Sequence, residues 1–113
     1  MPWKRTQFDM LLNDRTTTPH KGYQNTEAPH MIVYRHKKRA TWALGATSPA
    51  GVGMICHGFP RLSSAKLAAL EIEKLTDWNR DFTDGNFGGL THAEHRALYE
   101  AITDVKHAAI AAT

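Results

Sequence analysis

The chain has 113 residues, with 14 Lys and Arg against 11 Asp and Glu for a formal net charge of +3, and a single cysteine. That length gives room for one domain with one modest core, and the mild basic excess permits contact with nucleic acid without demanding it. One cysteine excludes an internal disulfide and a multi-cysteine zinc site and fits a reducing cytoplasm. No apolar run approaches the roughly 20 residues of a membrane span, and Met1-Pro2-Trp3-Lys4-Arg5 lacks the apolar stretch of a secretion signal.

In chain order, residues 3–13 hold Trp3, Phe8, Met10, Leu11 and Leu12 among charges. Phe8, Leu11 and Leu12 share a face at helical spacing, which predicts a short helix. Residues 14–27 are polar, with Thr16-Thr17-Thr18-Pro19 and Gly22, and read as a loop or arm. Met31-Ile32-Val33-Tyr34 is dense in β-formers, and Pro29 suits the entry to a strand. Ala40-Thr41-Trp42-Ala43-Leu44 resumes an apolar run, so the two runs around Arg35-His36-Lys37-Lys38-Arg39 read as a hairpin. No Gly or Asn supplies positive φ in that turn, which predicts a longer or bulged connection over 36–39.

Residues 45–53 are rich in Gly, Ser, Ala and Pro and read as a loop. Val52-Gly53-Met54-Ile55-Cys56-His57 is a third strand, whose glycines suggest a bulge or a close backbone approach. After Gly58-Phe59-Pro60, Ser63 or Ser64 is placed to cap a helix over 63–78. Ala65, Ala68, Ala69, Ile72 and Leu75 fall on one face of it, with Lys66, Glu73 and Asp77 opposite. Asp84-Gly85-Asn86-Phe87-Gly88-Gly89 is a turn signal. Thr91-His92-Ala93-Glu94 then matches the capping box of a helix over 91–110, striped by Leu98, Ala101, Ile102, Val105 and Ala109 and fraying over 108–113.

The expectation is one α+β domain, 1–113: a three-stranded antiparallel sheet packed on a helix, with an additional C-terminal helix and a short N-terminal helix or arm. The strands lie near 31–36, 40–46 and 52–57. The arm is 1–30, the β-β-β-α core 31–78, the loop 79–90 and the last helix 91–113.

Candidate chemistry is sparse. His92 and His95 stand at i and i+3, whereas a zinc-peptidase helix spaces its histidines at i and i+4, and Glu94 is accounted for by the capping box. Cys56 and His57 are neighbours on a strand and so point to opposite faces, which denies the thiol its adjacent base and favours a buried free cysteine. Gly51-Val52-Gly53 lacks the trailing Gly and Lys of a phosphate loop. No metal, cofactor or catalytic residue is expected.

The densest charge is Arg35, His36, Lys37, Lys38 and Arg39, about one hairpin tip. Lys4, Arg5, Arg15 and Lys21 extend it along the arm, and the positive charge concentrates ahead of Ala40. Phosphates favour such groups through charge and counterion release; the bland alternative is a tip or edge kept soluble by lysine. Trp42 is the core candidate among the tryptophans, while Trp3 and Trp78 are expected to be partly exposed, at a partner surface or over an end of the core.

From Trp42 onward, Trp42, Gly51, Gly58-Phe59 and Ala65 resemble the small three-stranded, one-helix DNA-binding domain of phage-type tyrosine integrases. The resemblance covers about 35 residues and implies the architecture more than the function. Those domains read DNA from a sheet face bearing Arg and Lys, whereas 40–47 and 52–56 here carry no charge. Two functions remain open. One is a non-enzymatic nucleic-acid binder gripping phosphates through the hairpin tip, with Lys4 and Arg5. The other is a protein-binding inhibitor or adaptor presenting Trp3 and Trp78. The Ala-rich C-terminal stripe is also a surface on which two copies can pair.

Overall fold

The computed structural model describes residues 3–12, 16–36, 40–48, 51–78 and 90–113. Five strands, β1 (Trp3–Leu11), β2 (Thr17–Asn25), β3 (Ala28–Arg35), β4 (Trp42–Ser48) and β5 (Gly51–Phe59), form a closed barrel in sequence order. Two helices follow, α1 (Leu62–Glu73) and α2 (His92–Ala112). Each strand runs antiparallel to the next. An odd number of alternating strands leaves the first and last pointing the same way, so the barrel closes on a parallel pair, Met10 opposite Val52.

The expected three-stranded sheet is therefore a five-stranded barrel. Residues 3–13, expected as a short helix, supply β1, and 14–27, expected as a loop or arm, supply β2. Alternation decides β1: Thr6, Phe8 and Met10 are half-buried, while Arg5, Gln7 and Asp9 between them are exposed. A helix would bury only part of that set and would leave β2 and β5 with open edges. The 45–53 stretch, expected as a loop, lies largely in β4 and β5, which pair up to Ser48 opposite Gly51.

Inside the barrel, Ile32, Tyr34, Ala43 and Val52 pack with Phe8 and Met10. Gly22 belongs to this tight passage, since a Cβ there would stand 2.5 Å from the Val33 carbonyl oxygen. The opposite faces of β3 and β4 present Met31, Val33, Leu44 and Ala46 to Ala65, Ala68, Ala69 and Ile72 of α1, with Leu98, Ile102 and Ala109 of α2 behind. The alanines let α1 lie close to the sheet. The stripe expected to pair two copies is thus used within the chain.

In β5 the pairing skips Ile55 and Gly58, so that Leu44 faces Cys56, Ala43 faces His57 and Trp42 faces Phe59. Gly58 takes φ 92, which suits a bulge at a residue without Cβ.

α1 begins after Arg61 with no side-chain cap; neither Ser63 nor Ser64 fills that role. Ser64 is buried one turn further in, and its hydroxyl meets that of Thr113, which itself donates to the Ala109 carbonyl at 2.8 Å. This contact closes the end of α2 onto α1, where fraying was expected. α1 stops at Glu73, short of the expected 78, and Leu75 lies beyond it exposed. His30 ties β3 to α1: its ring nitrogen meets Glu73, and its backbone N–H donates to Glu73 Oε2 at 3.2 Å. The capping box of α2 forms, with Glu94 N–H donating to Thr91 Oγ1 and Thr91 N–H to Glu94 Oε1, both at 3.1 Å. Among the described residues no helix is long and apolar enough to cross a membrane.

Candidate nucleic-acid interface

The outer face of β3 and β4 is covered by α1 only in part. Val33 and Leu44 lie in the core shared with the helices; of the next residues on the same face, Arg35 is exposed, and Trp42 is half-buried and packs against the edge of that core. β1 and β2 continue this open face. Arg5 stands opposite Tyr23, Gln7 opposite Lys21, and Arg35 opposite Trp42. The Tyr23 and Trp42 rings are 6.2 Å apart, tilted by 54°. The Arg35 guanidinium lies 5.6 Å from the centre of the Trp42 ring. Lys66 reaches in from α1, its ammonium 5.0 Å from the Tyr23 ring and 5.4 Å from the Trp3 ring. Pairs of this kind contribute roughly 0.5–1 kcal/mol each at exposed sites, and they hold cation and ring in one place.

A hollow of about 520 Å³ runs over these residues, between Arg5, Gln7 and Lys21 on one side and Tyr23, Arg35 and Trp42 on the other. That falls within the roughly 300–1,000 Å³ of small-ligand sites. A second hollow, of about 730 Å³, adjoins it and shares Gln7, Lys21 and Arg35; Phe8, Asp9, Pro19 and His20 complete it. β3 pairs with β2 only as far as Tyr34 opposite Gly22, so the first half of β2 stands clear of β3. Pro19, which has no N–H to give, occupies that half. Around the two hollows stand the cations Arg5, Lys21, Arg35 and Lys66, and one carboxylate, Asp9.

The residues named from sequence fall in different places. Arg5 and Arg35 share the open face. Lys4 is exposed on β1 but points to the other side of the strand. His36 follows β3, its N–H donating to the Thr41 carbonyl at 3.0 Å and its ring 5.4 Å from that of His57. Lys37, Lys38 and Arg39 lie outside the described residues. Trp3 is half-buried beneath Lys66. Trp78 is 1 % exposed, and its indole N–H donates to the Ile72 carbonyl at 3.1 Å. The expected surface tryptophan is a core residue, because the chain folds back over the end of α1 and buries it there. Trp42, the core candidate, is half-buried: it packs against the core cluster and also lines the open face.

Sequence reading missed Gln7, Tyr23 and Lys66 as members of one site. The signal was the alternation Arg5, Gln7, Asp9 in one strand and Pro19, Lys21, Tyr23 in the next, visible once both segments are read at period two. Cys56 shows no sign of activation. Burial pushes its thiol up to about 12, against a smaller opposing pull from Lys106. Comparison with known protein families, curated proteins and solved structures finds no match for this chain.

Proposed function

We propose that this protein binds single-stranded nucleic acid, non-enzymatically and in the cytoplasm, on the open outer face of β1 to β4. The observation that carries the reading is the Tyr23 and Trp42 pair, 6.2 Å apart, ringed by Arg5, Lys21, Arg35 and Lys66. Aromatic rings amid cations on a barrel face offer what a single strand needs. Bases stack on the rings for roughly 1–3 kcal/mol each, and the cations follow the phosphates. A duplex keeps its base faces stacked inside and gains only the charge term. The reading moves the contact from the 36–39 tip to the sheet, with Arg5 and Arg35 kept and Lys21 and Lys66 added. The protein-binding alternative loses its Trp78 anchor to the core.

Fluorescence anisotropy with a labelled oligonucleotide of about eight nucleotides tests it. Four phosphate contacts predict a salt slope of roughly −3 on a single strand. Replacing Tyr23 and Trp42 together by Ala should weaken binding roughly tenfold or more while a duplex is hardly affected. Absence of binding to both DNA and RNA single strands at low salt overturns the proposal.

A further inference from the structure

We propose that Gln7, Lys21 and Arg35 form a subsite for the terminal phosphate monoester of a strand, with Arg35 as its fork. This rests on the single-strand reading above and says which part of the strand the groove prefers. The subsite is one row across the outer face of the barrel. Gln7 stands opposite Lys21, and Arg35 opposite Trp42. β2 and β3 pair as far as Gly22 opposite Tyr34, so the next step along both strands sets Lys21 next to Arg35, where the two begin to part. Neighbouring strands lie roughly 4.8 Å apart, so an amide, an ammonium, a guanidinium and an indole follow one another at that interval. The first three line both hollows and mark the place where these meet. The Trp42 ring, 5.6 Å from the Arg35 guanidinium, orients the fork in advance.

Apart from the contact of Arg35 with Trp42, these three side chains make no hydrogen bond or ion pair among the described residues. Their donors are open to a ligand. A phosphodiester within a strand brings a single negative charge and two free oxygens. A terminal monoester brings a charge of about −1.5 to −2 at pH 7 and three acceptor oxygens. Two cations and an amide match the monoester. The guanidinium takes two oxygens as a fork and leaves the third to Lys21 and Gln7. The face also bounds the run of phosphates. The row on one side is Asp9 opposite Pro19, which has no cation. The row on the other is Arg5, Tyr23, Val33 and Leu44, and its last two members lie in the core beneath α1. The cations of the sheet therefore fill two rows. That suits the end of a strand, with its base on Tyr23 and Trp42, better than a long stretch of backbone.

The test sets unlabelled strands of about eight nucleotides, with a 5′-phosphate, a 3′-phosphate or neither, in competition with a labelled strand by anisotropy. At least one phosphorylated form should bind roughly fivefold or more tighter than the bare strand, and which one does so gives the polarity. Arg35→Lys keeps the charge but loses the fork, so it should remove most of that preference with the urea midpoint hardly moved. Tyr23→Ala should weaken all three strands and leave the preference standing. Equal affinity for the three strands in the wild type, with the sensitivity to Tyr23 and Trp42 intact, overturns this subsite and leaves the single-strand reading in place. A preference undiminished in Arg35→Lys also overturns it, since charge alone would then account for the effect. Failure of every strand to bind overturns both readings.

Discussion

β3 and β4 each serve two surfaces, and the change occurs within two residues. Under α1 the outer face carries Met31, Val33, Leu44 and Ala46, all fully buried. One step further along the same face stand Arg35 and Trp42, in an open hollow. The covered half is made of apolar groups packed on alanines, and what it yields is stability. The open half gathers four cations about two rings, an arrangement that adds little to folding, because exposed charges and cation–ring pairs contribute at most about 1 kcal/mol each. Lys66 marks the border. It belongs to the helix that closes one half, and its ammonium lies over the rings of the other.

Two tryptophans should show the division most strongly. Trp78→Ala removes a fully buried indole and its hydrogen bond to the Ile72 carbonyl. It should lower the unfolding free energy by about 3–5 kcal/mol, read by chemical denaturation. Trp42→Ala, on the open half, should lose oligonucleotide affinity and much less stability. Equal stability losses at the two sites would break the comparison.

The covered half was legible in the sequence. The apolar runs at 31–34 and 40–44, the alanines of α1 and the capping box at Thr91 and Glu94 each have a local reading that tertiary packing leaves in force. The open half was not, for a physical reason. Phe8, Leu11 and Leu12 satisfy a helical face as readily as Thr6, Phe8 and Met10 satisfy a strand, and a short segment carries too few residues to choose. The choice is made by closure, since β1 gives β5 and β2 their pairing partner. Thr16-Thr17-Thr18-Pro19 likewise reads as a loop until β1 is known to be a strand. With β1 and β2 missing, Arg5 and Lys21 looked like an arm, and Tyr23 had no neighbours to form a site with. Trp78 read as a surface residue because its burial depends on where α1 ends.

A smaller effect is expected at the border. Lys66→Gln keeps most of the side-chain stem but removes the charge over Tyr23 and Trp3. Stability should fall by no more than about 1 kcal/mol. If Lys66 turns from the rings to a phosphate when a strand arrives, the salt slope should flatten by roughly 0.7. An unchanged slope with an unchanged affinity would confine Lys66 to the packing of α1.

The smallest effect concerns the barrel interior that backs the open face. Tyr34 is 3 % exposed, and its hydroxyl has no hydrogen-bond partner among the described residues. Burial raises its pKa well above the ordinary tyrosine value, and the nearby Cys56 raises it further. The Cys56 thiol is raised from 9.0 to about 12, chiefly by burial. Both groups therefore stay protonated in the folded chain at pH values where the unfolded chain has begun to lose its protons. Their contribution is complete below pH 9 and is lost as the pH climbs from there through 12. Tyr34→Phe deletes a hydroxyl that folding strips of water without replacement, so at neutral pH it should leave stability unchanged or slightly higher. In alkaline solution the variant should lose stability less steeply than the wild type, because one of the two groups no longer titrates. Urea midpoints measured at neutral pH and near pH 10 read both effects. A clear loss of stability at neutral pH would mean that the Tyr34 hydroxyl has a partner in solution, and that the Phe8 and His20 rings beside it are held by more than packing.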